Sequence, residues 1–143
     1  MNILRLLRVK SLLLFPALVY TGAIVQLSLV NLAETPVSNL GLSDKILHGA
    51  AYYGLGMLWM LYTVYGHGFR HFSRKMLIVS VSSVSFGIFI EVLQDTLTSY
   101  RQWDVLDIIA NSVGVIAAWI TIRIMKKCLI RLKAKINLNF IKK

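Results

Sequence analysis

Acidic residues are scarce in this chain: six Asp and Glu stand against sixteen Lys and Arg in 143 residues, and all charged residues together make up only 15%. That excludes the polar surface a water-soluble domain of this length needs. Cysteine occurs once, at Cys128, so no intramolecular disulfide can form, and its place among lysines fits a reduced thiol on the cytoplasmic side. Proline occurs only at Pro16 and Pro36, which leaves nearly all of the chain free of helix breakers. A Ser nucleophile elbow, a glycine-rich phosphate loop and a Cys–His pair are all missing, so the familiar hydrolase and nucleotide-binding chemistries lack their residues here.

What fills the chain instead is apolar: hydrophobic residues make up 57%, and the mean hydropathy is +0.67. Ser11 to Val30 is an uncharged run, and about 20 apolar residues suffice to cross the hydrocarbon core of a bilayer as a helix. The pattern predicts an all-α membrane bundle of four transmembrane helices, at about residues 11–30, 44–65, 76–94 and 104–125. A basic cytoplasmic tail, 126–143, follows this 1–125 domain. The tail alternates apolar and polar residues from Ile130 to Phe140, a strand period, but with no second strand to pair with it a helical extension that frays is the expectation. Small residues, Gly49, Gly54 and Gly56 on the second helix and Ala110, Gly114 and Ala118 on the fourth, mark surfaces where helix backbones can approach closely.

Basic residues set the orientation. Three precede the first run, three lie between Gly66 and Lys75, and eight follow from Arg123, whereas the other two loops hold only Lys45 and Arg101. Positive residues stay on the cytoplasmic side, so both termini are expected there, in a multi-pass membrane protein. The same distribution argues against nucleic acid, because the basic residues flank apolar runs rather than cover a polar domain. His67 and His71 lie in the cytoplasmic turn beside Arg70 and Arg74 and read as headgroup-facing rather than chelating. Trp103 fits an interfacial aromatic belt.

All six acids then fall at or near the extracytoplasmic helix ends. Glu91, Gln94 and Asp95 share one face near the end of the third helix, and Asp104, Asp107, Asn111 and Gly114 form a single stripe on the fourth. An ionisable group inside a membrane helix costs about 3 kcal/mol or more at the bilayer centre, so facing stripes of them imply a shared polar site. His48, Glu91 and Asp107 are the candidate catalytic residues, because a histidine can move a proton near neutral pH and Asp44, one turn earlier, can orient it. Asp44, Lys45, Tyr52, Gln94, Arg101, Asp104 and Asn111 are the candidate binding residues. A purely structural knot of helices two, three and four is the alternative, with Arg101 paired to Glu91 or Asp104 and His48 hydrogen-bonded to Glu91. His48, Glu91 and Asp107 offer metal donors, but no dense His/Cys spacing supports them, so neither a metal nor any other cofactor is expected.

The arrangement Asp44-Lys45-x-x-His48 with Tyr52, then Glu91-x-x-Gln94, then Arg101-x-x-Asp104-x-x-Asp107-x-x-Ala110-Asn111-x-x-Gly114 resembles the VanZ-like family of small bacterial membrane proteins. The resemblance covers about Ser43 to Ala118; Asp95 departs from it, standing where an apolar or aromatic residue is commoner. It implies a multi-helix cell-envelope protein of the bacterial cytoplasmic (inner) membrane, with a link to glycopeptide (teicoplanin) resistance. Three functions follow as expectations: binding or modifying a membrane lipid or lipid-linked envelope precursor at the extracytoplasmic face; a small intramembrane enzyme using His48 with Glu91 and Asp107 as acid and base; or an assembly protein whose polar cluster only holds helices together. Whether the chain is an enzyme, and how many copies associate, is left open by the residues.

Overall fold

A computed structural model of the chain describes residues 3–29, 44–98 and 104–139, with side chains described over 11–29, 44–98 and 104–135. Four helices make up almost all of it: α1 (Ile3–Ser28), α2 (Asp44–His67), α3 (Phe72–Leu97) and α4 (Val105–Asn139). No strand occurs among the described residues. The fold is all-α, as the apolar runs predict.

Helix α2 is the hub, packing on α1, α3 and, most extensively, α4. Two glycines explain that seam. A Cβ on Gly114 would come within 2.2 Å of the Gly49 carbonyl oxygen and 2.9 Å of the Tyr53 nitrogen, so only a residue without a side chain permits this crossing. One turn along, a Cβ on Gly56 would meet the Ala118 methyl at 2.9 Å. Below these contacts the interior fills with Leu55, Met60, Val64, Met76, Val115 and Ile122, all buried. Helix α1 is tied to α2 by polar side chains instead: the Tyr20 hydroxyl donates to the Ala51 carbonyl at 3.2 Å, and Trp59 Nε1 donates to Thr21 Oγ1 at 3.1 Å. Pro16 sits inside an α1 that runs on without a break.

The outer surface is apolar. Leu12, Phe15, Leu77, Val81, Val113 and Ile124 are more than half exposed, a surface that water would penalise at about 25 cal/mol per Å² and that lipid does not. Among the described residues three helices are long and apolar enough to cross a membrane: over Ser11–Ser28, Phe72–Leu97 and Val105–Lys135. The expectation of four such spans is corrected at α2. Its glycines, its tyrosines at 52, 53, 62 and 65, and Trp59 lower its hydropathy, because a helix enclosed by three others uses these residues for interhelical contact and need not be apolar all round.

The helix ends also differ from the sequence estimates. Helix α1 takes in Arg5, Arg8 and Lys10, α3 begins at Phe72, and α4 does not stop at Met125 but continues to Asn139. No Gly or Pro interrupts 126–139, and most of its residues are good helix formers, so the strand-like alternation does not prevail. The extension is also docked: Leu129 is buried, Lys126 lies over the Phe72 ring at 4.7 Å, and Lys133 Nζ donates to the carbonyls of Val64 and Tyr65 at 3.1 and 2.9 Å. Those carbonyls belong to the last turn of α2, where the helix dipole favours positive charge. Gly68, at φ 72°, then closes α2 by donating its N–H to the Val64 carbonyl at 3.0 Å.

Candidate functional site

The up-and-down course of α2, α3 and α4 brings the start of α2, the end of α3 and the start of α4 to one end of the bundle. The first two turns of α2 carry Asp44, Lys45, His48 and Tyr52, the last two turns of α3 carry Glu91 and Gln94, and α4 supplies Asp107 and Asn111. Glu91, Gln94, Asp107 and Asn111 are each no more than 4% exposed. Four polar groups of this size are not buried in an apolar bundle without mutual satisfaction or a ligand.

His48 is at the centre. Its Nδ1 lies 3.2 Å from Asn111 Oδ1 and 3.7 Å from Glu91 Oε1, while Nε2 lies 3.8 Å from Asp44 Oδ2 and 3.8 Å from Asp107 Oδ2. Asn111 Oδ1 can only accept, so Nδ1 donates, and Nε2 is the ring nitrogen turned toward the two aspartates. Lys45 Nζ donates to both Asp104 and Asp107, joining α2 to the start of α4. Asp104 in turn caps α4, its Oδ1 accepting the Leu106 N–H at 2.8 Å. The Lys45 ammonium and then that backbone N–H hold the Asp104 carboxyl below the usual carboxylate range.

Other buried polar atoms have no hydrogen-bonding partner: the Tyr52 hydroxyl, Asn111 Nδ2 and Gln94 Oε1. The amide nitrogen of Gln94 is used, donating to the Ser28 carbonyl at 2.9 Å and so tying α3 to the end of α1. Gly87 forms the floor beneath Tyr52 and Asn111. A Cβ there would lie 3.0 Å from the Tyr52 ring and 3.3 Å from Asn111 Nδ2. Gly87 was not singled out from the sequence as a site residue; its place one turn before Glu91 on the same face was the signal that it belongs to the site.

Of the residues singled out from the sequence, the structure gathers Asp44, Lys45, His48, Glu91, Asp104, Asp107 and Asn111 into this cluster. Tyr52 stands behind it, and Gln94 is turned to α1. Asp95, expected on the face of Glu91 and Gln94, is exposed, since one residue along a helix turns the side chain by about 100°. Arg101 and Trp103 lie outside the described residues. The cation that meets Asp104 and Asp107 is Lys45.

The VanZ/LLP1 family model matches residues 5–126, most of the chain. The chain belongs to the VanZ/LLP1 family. No curated protein and no solved structure matches it. In this VanZ/LLP1 protein a cavity of about 330 Å³ also opens among α1, α2 and α3, lined by Thr21, Leu55, Trp59, Val79, Ser83 and Phe86. Phe86 packs on Tyr52 with ring centroids 6.4 Å apart, so this largely apolar space begins where the polar cluster ends.

Proposed function

We propose that this VanZ/LLP1 protein binds a membrane lipid or lipid-linked envelope component at the extracytoplasmic face, with the headgroup at the His48 cluster. The observation that carries this reading is the convergence of His48 with the buried Glu91, Asp107 and Asn111 at the bundle end opposite the basic residues. The cavity lined by Leu55, Val79 and Phe86 supports it, because an apolar space adjoining a polar cluster suits an acyl chain next to a headgroup. In this reading α2 spans the membrane with the other three helices, both termini are cytoplasmic, the membrane is the inner one, and the α4 extension rests on anionic lipid. Glycopeptide resistance, including that to teicoplanin, is then a consequence of handling an envelope lipid.

Lipid extraction and mass spectrometry of the detergent-purified chain tests the reading. Wild type should retain one lipid class at a stoichiometric level, and Asp107→Asn, which keeps the side-chain volume, should lose about tenfold of it. Identical lipid profiles in wild type and a folded variant would end the proposal. A second reading, a structural knot, is favoured by Lys45 bridging Asp104 and Asp107. It predicts instead that Asp107→Asn fails to accumulate as folded protein. Teicoplanin susceptibility in cells expressing wild type or His48→Ala at equal levels tests the resistance link. Acid–base catalysis by His48 with Glu91 and Asp107 would show as chemically altered lipid recovered with wild type and not with His48→Ala.

A further inference from the structure

Three donor atoms, His48 Nε2, Asp44 Oδ2 and Asp107 Oδ2, lie close together. Nε2 stands 3.8 Å from each carboxylate oxygen, and Asp44, His48 and Asp107 each place a ligand atom within 4.8 Å of the other two. At 3.8 Å these contacts are too long for hydrogen bonds. Two donors each about 2.1 Å from one ion stand about 3 to 4.2 Å apart, so 3.8 Å lies within the span that one cation can bridge. The third side closes by a small movement of Asp44, whose side chain is 46% exposed.

The surroundings have the form of a second shell. His48 Nδ1 donates to Asn111 Oδ1, the contact that metal-bound histidines use to fix the tautomer and point the other nitrogen at the ion. Lys45 holds Oδ1 of Asp107 and leaves Oδ2 toward His48. A separate observation concerns what else binds there. The Tyr52 hydroxyl and Asn111 Nδ2 are buried without a hydrogen-bonding partner, side by side over Gly87, and both can donate to an oxygen. An acid-rich cluster with donors waiting for an oxygen is a poor site for an anionic headgroup until a cation reverses its sign.

We infer that Asp44, His48 and Asp107 bind one divalent transition-metal ion, zinc being matched to a mixed imidazole and carboxylate set, and that this ion holds a phosphate oxygen of the headgroup. The Tyr52 hydroxyl and Asn111 Nδ2 donate to the same phosphate. The phosphate half rests on the lipid reading above, whereas the metal half rests on the donor geometry alone.

The test strips the purified full-length chain with EDTA, titrates it with zinc chloride and counts bound zinc. Wild type should take one zinc per chain with a raised melting temperature. Asp44→Asn, a change at an exposed position that leaves the packing intact, should weaken binding at least tenfold, as should His48→Gln, while His71→Ala should leave it unchanged. No zinc uptake by wild type, unweakened uptake by folded Asp44→Asn, or loss of uptake in His71→Ala would overturn the site. Short-chain phosphatidylglycerol and the matching phosphate-free diacylglycerol then probe the headgroup. Zinc-dependent binding of the first and not the second is expected. Zinc bound with no effect on phosphatidylglycerol binding overturns the phosphate half, and phosphatidylglycerol bound equally in EDTA by a chain that takes no zinc overturns the metal while leaving the lipid reading in place.

Discussion

The two ends of the bundle treat their lysines in opposite ways. At the basic end, Lys133 and Lys75 spend their hydrogen bonds on backbone: Lys133 on the carbonyls of Val64 and Tyr65, Lys75 on those of His67 and Gly68 at 2.7 and 3.1 Å. These carbonyls lie at or just beyond the C-terminus of α2, where positive charge is favourable. At the other end Lys45 meets two carboxylates, Asp104 and Asp107, while Asp44 and Glu91 approach His48. Four carboxylates about a single ammonium, among the described residues, exceed what joining three helices requires. The lesson is that one end is closed by lysine-to-carbonyl bonds, whereas the other gathers more carboxylates than ammonium groups among the described residues, the feature on which the proposed ligand site rests.

The change expected to do most damage strikes what both ends hang on. Gly114→Val places a methyl-bearing carbon into the Gly49 carbonyl, so α2 and α4 must separate, at a cost of about 3 kcal/mol or more. Size-exclusion profile and melting temperature in detergent check this; a wild-type melt would show that the seam is not as close as described.

Between the ends, removing a lysine should hurt unequally. Lys45→Gln leaves Asp107 buried with a weakened partner and should cost about 3 kcal/mol at neutral pH. Lys133→Gln frees carbonyls that other donors or water can reach and should cost about 1 kcal/mol. Equal losses in paired thermal melts would erase the contrast between the ends.

A finer comparison isolates Asp104. Its carboxyl is held below the ordinary range in the folded chain, so by linkage its contribution is present above the unfolded pKa and disappears as pH falls through the lowered native value. The melting difference between wild type and Asp104→Asn should therefore be visible at pH 6 and shrink steadily below about pH 4. A difference independent of pH would mean that the charge is not what Asp104 contributes. The last comparison is topological: a cysteine at Thr98 should react with an impermeant reagent from outside intact cells and one at Phe69 should not.

Much of the fold was legible because membrane helices announce themselves by length and apolarity, and three of the four do so again by the same measure in the structure. Helix α2 does not, for the reason that makes it central: Gly49, Tyr52, Gly56 and Trp59 face other helices. The extent of α4 was underread because charge density ended the apolar run at Met125, although Leu129 and Lys133 find partners on α2 and α3 that no local pattern shows. Within the site, spacing was enough to place Asp107 and Asn111 on one stripe and to nominate His48. It could not say that Lys45 would meet Asp104 and Asp107 across 59 and 62 residues, nor that Asp95 would turn outward.

By itself, then, the sequence determined that this VanZ/LLP1 chain is helical, apolar and basic at one end, and which residues of each helix share a face, since periodicity and hydropathy act within about 20 residues. Only the tertiary structure decided which faces meet. Gly114 seats on the Gly49 carbonyl and thereby sets the register of α2 on α4, and that register brings Lys45 to Asp107 and His48 to Asn111. Contacts between residues 60 or more positions apart depend on how backbones pack, which no local pattern encodes.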